Sequence, residues 1–300
     1  MTTAFTQTKV RFDSAAPGIS LVGDLYLPAV PASRSAAFVI IGPMTFQKEQ
    51  APTEYARRLA AEGHIALVFD TRYRGESGGE PRAYENPFHK VADVISAAAF
   101  LRAQPGVDAG RLIALGICQG SSEVIRAVAE DDRIAAGVTL AGHYRDREGD
   151  IAWLTEEGYT ARLENGQRAK EKYEATGEID YIPGVDAEDM NVGMPGKFVW
   201  DWYHVWADKG LWDNRYAVMS DADLLAYESI SAARAQTKPY LMIHSDASFL
   251  PDAARRHFDA MPSSRKELVW DGDTPHLSYY DQPDVIGRTV AKISRWATSI

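Results

Sequence analysis

Short, largely apolar runs alternate with longer segments of helical periodicity along much of this chain. The apolar runs lie at residues 36–41, 65–69, 112–115, 134–140 and 239–243. The intervening helical segments include residues 52–62, 88–103 and 121–130. A strand that is apolar at nearly every position is buried on both faces, and strands that alternate with helices are typical of a parallel sheet. We therefore expect an α/β fold with a mostly parallel, doubly wound sheet.

The alternation stops between residues 145 and 236. This stretch is charged and aromatic, with a helical segment at 160–176 and several tryptophans. A long aromatic insertion in such a sheet is more typical of a lid than of disorder. The pattern predicts an α/β core at 1–144 and 237–300, interrupted by an inserted helical cap at 145–236. Candidate substrate-binding residues in the cap are Trp200, Tyr203 and Trp206, with packing inside the cap as the alternative.

Composition narrows the function classes. The 300 residues carry 42 Asp and Glu against 32 Lys and Arg, which argues against a nucleic-acid-binding surface. A single cysteine excludes an internal disulfide and favours a reducing, cytoplasmic location. Residues 1–10 lack signal-peptide features, and no apolar stretch is long enough to span a bilayer. We expect a small-molecule substrate and neither nucleic acid nor membrane as partner; a homodimer remains open.

The only cysteine, Cys118, is the central residue of the pentapeptide GICQG, directly after the run at 112–115. Glycines two residues before and after a nucleophile are typical of a sharp strand-to-helix turn that lifts the side chain above the sheet. The start of the following helix would favour the thiolate. The alternative is that Cys118 is a small buried hydrophobic residue without a catalytic role. We interpret Cys118 as the nucleophile.

A cysteine nucleophile needs a base and a group that orients it. His276 follows the last predicted strand, which places it at the same sheet edge as the elbow. His143, after the run at 134–140, is the weaker alternative base. Asp246 follows the strand at 239–243 and is the candidate acid, since the order nucleophile, acid, histidine is the expected one. Asp252 is the alternative acid, although a helix cap explains it equally well.

Acyl chemistry also needs hydrogen-bond donors for the developing oxyanion. One predicted donor is the backbone N–H of Gln119, the residue after the nucleophile. The other is the N–H of Met44 in the loop that follows residues 36–41, with Thr45 as the next choice. No His, Cys and Asp cluster has metal-ligand spacing, and the dinucleotide fingerprint is absent. We expect neither a metal nor a cofactor.

Several segments together resemble the α/β-hydrolases, in particular the dienelactone-hydrolase-like group. They are the loop at 42–50 with Lys48-Glu49-Gln50, the segment at 70–79 with Arg74-Gly75-Glu76-Ser77-Gly78, the elbow at Cys118, and the segment at 276–281. The resemblance covers nearly the whole chain and implies the α/β-hydrolase fold and a Cys-His-Asp triad. Many members of this group have a carboxylate where this chain has Ser248.

The resulting expectation is a hydrolase without cofactor that cleaves an ester, lactone or thioester through an acyl-Cys118 intermediate. An acyltransferase or cyclase would use the same intermediate with a different acceptor. A third interpretation is a catalytically silent member of the fold that only binds a ligand.

Overall fold

The computed structural model describes residues 4–30 and 35–300. Residues 1–3, which begin the N-terminal stretch discussed above, and residues 31–34 lie outside the described part. Within the described part the chain forms ten strands: β1 (Phe5–Asp13), β2 (Ser20–Pro28), β3 (Ser35–Ile41), β4 (Ile65–Asp70), β5 (Val107–Ile117), β6 (Ala136–Leu140), β7 (Tyr181–Ile182), β8 (Tyr216–Ala217), β9 (Tyr240–His244) and β10 (Lys266–Trp270).

Eight of these strands form one sheet in the order β1-β2-β4-β3-β5-β6-β9-β10. Strand β2 is antiparallel to both of its neighbours, and all pairs from β4 to β10 are parallel. The predicted α/β fold with a mostly parallel sheet is confirmed. Because parallel strands end at the same edge, the residues after β3, β5, β6, β9 and β10 lie close together.

Helices cover both faces of the sheet. Their bounds are α1 (Ala51–Ala61), α2 (Pro87–Arg102), α3 (Gly120–Glu130), α4 (Arg147–Thr176), α5 (Lys197–Asp208), α6 (Ser220–Leu224), α7 (Ile230–Ala235), α8 (Pro251–Ala260), α9 (Ser278–Asp281) and α10 (Pro283–Ser299). Alternate residues of β3 enter different cores: Phe38 and Ile40 join the cluster with α1 and α10, and Ala37 and Val39 join the one with α2 and α3. Burial on both faces explains why this strand is apolar throughout.

The stretch at 145–236 contains α4 to α7 and the two-stranded sheet of β7 and β8. Helix α4 begins thirteen residues earlier than the predicted segment at 160–176 and is interrupted at Thr155, whose φ is 64° and ψ 162°. Its first part, before Thr155, therefore has a different direction from the remainder. At the other end of the stretch, α7 packs against α3 and α8 of the layer that covers the sheet.

In residues 4–30 and 35–300, no helix combines the length and the apolar character that a membrane crossing requires. The same residues include no group of three or more His, Cys, Asp and Glu side chains arranged to hold a metal ion.

Candidate active site

Cys118 lies between the end of β5 and the start of α3. Its φ of 54° is in the left-handed region, which a residue with a side chain adopts only at a free-energy cost of about 1–3 kcal/mol. The backbone is held there by hydrogen bonds: the Cys118 N–H donates to Leu140 O at 3.0 Å, and its carbonyl accepts from Ser121 N–H at 3.0 Å. This is the strand-to-helix elbow that the pentapeptide predicts.

The two glycines of the elbow allow close approaches of the backbone. A Cβ atom at position 116 would lie 2.3 Å from the carbonyl oxygen of Gly120, and one at position 120 would lie 2.7 Å from the carbonyl oxygen of Gly42. The Gly120 N–H donates to that same Gly42 oxygen at 3.2 Å. Glycine at 120 thus brings the loop after β3 against the nucleophile.

The Cys118 side chain is within hydrogen-bond reach of three donors. They are the backbone N–H groups of Gln119 and Met44, the two predicted oxyanion donors, and the hydroxyl of Tyr280. Burial raises the pKa of the thiol, and the hydrogen bonds from Tyr280, Gln119 and Met44 oppose that effect without cancelling it. The resting group is therefore a neutral thiol.

Tyr280 links the thiol to His276. Its hydroxyl lies 2.9 Å from Nε2 of His276, four residues earlier in the chain. Nδ1 of His276 accepts a hydrogen bond from the backbone N–H of Phe249 at 3.2 Å, which assigns the ring proton to Nε2. Burial, reinforced by two neighbouring histidines, lowers the pKa of His276 to about 3, so the ring is neutral at pH 7. Sequence reasoning missed Tyr280, although the spacing of four residues was available.

The structure does not bring Asp246 to His276, which corrects the expected pairing. The Asp246 side chain is 59% exposed and bonds to Arg255 Nη2 at 2.6 Å. Its N–H donates to Gly272 O at 2.8 Å, which fixes a turn that directs the carboxylate outward. Asp252 is 85% exposed and also faces Arg255. Among the described residues, no carboxylate forms a hydrogen bond with either ring nitrogen of His276.

Ser248 occupies the position where many dienelactone-hydrolase-like proteins have a carboxylate. Its hydroxyl is buried and lies 2.7 Å from the hydroxyl of Ser245, which in turn donates to Thr274 O at 2.6 Å. A serine in this place supplies no negative charge for the imidazole. The expected Cys-His-Asp triad is therefore incomplete at its third position.

Cys118 opens into a cavity of about 210 Å³ with a largely apolar lining. The apolar lining residues are Pro43, Met44, Trp153, Met194, Pro195, Phe198, Val199, Phe249 and Leu277. The remaining lining residues are Cys118, His143, Tyr203, His276 and Tyr280. Among residues 4–30 and 35–300, no Asp, Glu, Lys or Arg lines this cavity, so an uncharged ligand fits it.

Of the three predicted substrate contacts, only Tyr203 lines the cavity. Trp200 stacks on His204 with ring centroids 5.1 Å apart, and Trp206 packs against Trp202 at 5.8 Å. Both tryptophans are three residues from Tyr203 and therefore near its face of α5, so their packing on neighbouring rings, and not helix phase, keeps them out of the cavity lining. The assignment of Trp200 and Trp206 as substrate contacts is thus corrected, because their rings pack on His204 and Trp202 instead.

Tyr203 and Trp212 hold the loop that supplies the Met44 N–H. The Tyr203 hydroxyl donates to Met44 O at 3.1 Å, and Trp212 Nε1 donates to Thr45 O at 2.8 Å. Thr45, the alternative oxyanion donor, has a φ of 62° and is fully buried. The two aromatic side chains therefore fix peptide groups of a turn that has left-handed backbone at its centre.

We expect Tyr203→Phe to lower kcat by up to about tenfold, because a net hydrogen bond of about 1 kcal/mol that orients the Met44 loop is lost. Steady-state kinetics on ester, lactone and thioester substrates measures the effect. Trp200→Phe is the matched control, since Trp200 is on the same helix but outside the cavity. Equal losses in the two variants would show that the hydroxyl has no specific role.

The side chain of Gln119 is held between two charged residues. Its Nε2 donates to Glu123 Oε1 at 3.1 Å, and its Oε1 accepts from Arg145 Nη2 at 3.3 Å. Burial raises the pKa of Glu123 to about 7. These contacts fix the first residue after the nucleophile, whose N–H faces the sulfur.

His143, the alternative base, lies on the cavity wall with a carboxylate behind it. Its Nε2 is 3.6 Å from Asp150 Oδ1, and Asp150 also accepts from Arg145 Nη1 at 2.7 Å. The ring packs edge-on against Trp153 and Phe249, with centroids at 5.6 and 4.8 Å. Burial, and next the Arg145 charge, lower the pKa of His143 to about 4. His143 is thus a neutral imidazole with an ionised partner.

Comparison with known proteins gives both named and uncharacterised relatives. No protein-family model matches the chain. The chain is 30% identical over 206 residues to the uncharacterised protein YcjY of Escherichia coli, covering 65% of this chain and 66% of YcjY. It is 26% identical over 260 residues to polyketide transferase af380 of Aspergillus fumigatus, covering 84% of each. It is 31% identical over 129 residues to thiohydrolase aneE of Aspergillus aculeatus, covering 43% of this chain and 39% of aneE.

Solved structures match over almost the full chain. The crystal structure of the hypothetical protein PA2218 from Pseudomonas aeruginosa has a TM-score of 0.84 and 27% identity, covering 99% of this chain and 94% of that one. The sequence matches cover 40% of PA2218 and 66% of YcjY. The chain therefore spans less than two thirds of the length of each of these two relatives. The α/β hydrolase GrgF from Penicillium has a TM-score of 0.80 and 20% identity, covering 98% of this chain and 99% of that one. The elbow, the sheet order and these superpositions show that the chain has the α/β-hydrolase fold.

Proposed function

We propose that this protein hydrolyses thioesters through a covalent acyl-Cys118 intermediate. The observation that carries the proposal is the position of the Cys118 sulfur, which both backbone N–H groups of the predicted oxyanion hole can reach. Sulfur nucleophiles attack activated acyl groups well. Relatives named as thiohydrolases and polyketide transferases support the choice of a thioester donor.

In the first step the sulfur attacks the acyl carbon and forms the new thioester, while the donor thiol leaves. The Cys118 proton passes to the Tyr280 oxygen as the Tyr280 proton passes to His276 Nε2. This transfer requires the other tautomer of His276, with the ring proton on Nδ1. In that tautomer Nδ1 no longer accepts the hydrogen bond from the Phe249 N–H. The proton then reaches the leaving sulfur, which balances the step. The N–H groups of Met44 and Gln119 bind the carbonyl oxygen as its negative charge develops.

The missing carboxylate affects which leaving groups this site can expel. An imidazolium at His276 would have no anionic partner among the described residues, so His276 is a weak base. A leaving thiol has a pKa of about 8.5 and departs as a thiolate, whereas an alkoxide is far more basic. The site therefore suits thioesters, and next to them enol or aryl esters and lactones, better than alkyl esters.

We propose further that residues 145–236 form a cap that selects the acyl chain. This stretch contributes Met194, Phe198, Val199 and Tyr203 to the cavity wall.

The second candidate function is acyl transfer to an organic acceptor in place of water. The apolar lining favours it, because such a cavity excludes water from the acyl-enzyme.

The proposal is tested by trapping the intermediate. Simple acyl thioesters of increasing chain length are mixed with the protein, quenched in acid and analysed by intact mass. We expect a mass increase of one acyl group on the peptide that contains Cys118, together with release of one thiol. Aryl, enol and alkyl esters are compared in the same assay, and protein alkylated with iodoacetamide is the control. A protein with a free, alkylatable thiol that forms no adduct and releases no thiol would instead be a silent binding member of the fold.

A further inference from the structure

Two histidines line the cavity, and each lacks a contact that the other makes. His276 contacts the nucleophile through Tyr280, but both of its ring nitrogens are hydrogen-bonded, and neither has a carboxylate partner in the described part of the chain. His143 has the carboxylate of Asp150 behind Nε2 but makes no hydrogen bond to the thiol. The two rings are separated by Phe249, whose centroid lies 4.8 Å from that of His143 and 6.3 Å from that of His276.

The two ring nitrogens of His143 have different surroundings. Nε2 is fully buried and faces Asp150, without a hydrogen bond. Nδ1 forms no hydrogen bond with any residue in 4–30 and 35–300 and is not among the fully buried atoms. Because His143 lines the cavity, Nδ1 is open to a molecule bound there.

The ring is also held in place. The His143 N–H donates to the carbonyl oxygen of Cys118 at 2.9 Å, which ties the backbones of the two residues together. Trp153 and Phe249 pack on the ring, and Arg145 fixes Asp150. A free imidazole nitrogen on a fixed ring, with an anionic group at the opposite nitrogen, is the arrangement that general-base catalysis requires.

We propose that His143 is the base that activates the acceptor in the second half of the reaction, with Asp150 as its positioning residue. This step rests on the proposed acyl-Cys118 intermediate. Nδ1 takes the proton from the acceptor O–H or N–H while the acceptor attacks the acyl carbon. The bond between the acyl carbon and the Cys118 sulfur breaks, and the sulfur leaves as a thiolate. The proton on His143 then returns to that thiolate, so the thiol is regenerated.

The two half-reactions thus use different histidines. His276 and Tyr280 act on the thiol during acylation, and His143 and Asp150 act on the acceptor during deacylation. The division predicts that the two histidines affect different steps when they are replaced.

The test separates the steps with an acyl thioester as donor and water as acceptor. Thiol release in the first turnover measures acylation, and loss of the acyl adduct by intact mass measures deacylation. His143→Phe keeps an aromatic ring between Trp153 and Phe249 but has no nitrogen, and His143→Gln is the second variant. We expect both to give a stoichiometric first turnover and to lose the adduct about 100-fold or more slowly than wild type. His204→Gln is the matched control: His204 is in α5 and does not line the cavity, so this variant should match wild type.

Hydroxylamine distinguishes a chemical role from a structural one. It attacks thioesters without a base, so it should discharge the acylated His143 variants as fast as the acylated wild type. Adduct loss at the wild-type rate in the His143 variants would overturn the inference. So would loss of the first turnover together with slow discharge by hydroxylamine, since that pattern indicates a deformed cavity. If neither wild type nor the His143 variants form an adduct or release thiol, the proposed function fails, and this inference fails with it.

Discussion

Cys118→Ala is expected to reduce turnover of acyl thioesters by a factor on the order of 10⁴ or more, because Cys118 is the only Cys, Ser or Thr among the described residues that line the cavity. The side chain that replaces the thiol is smaller and apolar, so the fold should be retained. Continuous detection of the released thiol gives the rate, and thermal unfolding confirms that the variant is folded. Full turnover in the alanine variant would exclude an acyl-cysteine mechanism.

Cys118→Ser should be nearly as inactive as the alanine variant. A hydroxyl needs a stronger base than a thiol does, and no carboxylate of residues 4–30 or 35–300 supports His276 as a base. Burial raises the pKa of the Cys118 thiol, so inactivation of wild type by iodoacetamide should continue to accelerate above the usual thiol range near pH 8.5. A serine variant with more than a tenth of the wild-type rate would show that a strong base exists elsewhere in the site.

His276→Gln and Tyr280→Phe are expected to lower the acylation rate by about 10² to 10⁴ each, which is the usual contribution of a proton-transfer group. Because the two side chains form one chain to the sulfur, the double variant should be no slower than the slower single variant. First-turnover thiol release measures all three.

Asp246→Asn is the matched control for this series. Its side chain is exposed and bonded to Arg255, so the rate should change by less than about twofold, as for most surface substitutions. Additive losses for His276→Gln and Tyr280→Phe would contradict the proton chain. A large loss for Asp246→Asn would reinstate that residue as the acid.

The sequence was sufficient to predict the parallel sheet, from its apolar runs, and the elbow, from the pentapeptide around Cys118. The run at 36–41 is apolar because β3 is buried on both faces, and this local property can be read without knowing its neighbours. The elbow depends on five consecutive residues, so it is also local. Met44 could be placed beside Cys118 because parallel strands share one edge.

The third member of the triad and the substrate contacts could not be found in this way. Asp246 is in the expected loop, but a turn fixed by a hydrogen bond to Gly272 directs it outward, and that contact joins residues far apart in sequence. Trp200 and Tyr203 are in one helix, and only the tertiary packing of α5 decides which of them faces the cavity. The direction of a loop side chain and the packing of an inserted helix both depend on contacts that the local sequence does not contain.

The left-handed backbone of Cys118 lowers the stability of the fold at the same residue that supplies the proposed nucleophile. Glycine adopts this conformation without steric cost, so a glycine at position 118 would relieve the strain while removing the sulfur. The most stable chain at this position is consequently an inert one. A stability-based selection or design procedure applied to this protein would tend to eliminate its nucleophile, and the elbow must be held fixed if a thermostable and active variant is wanted.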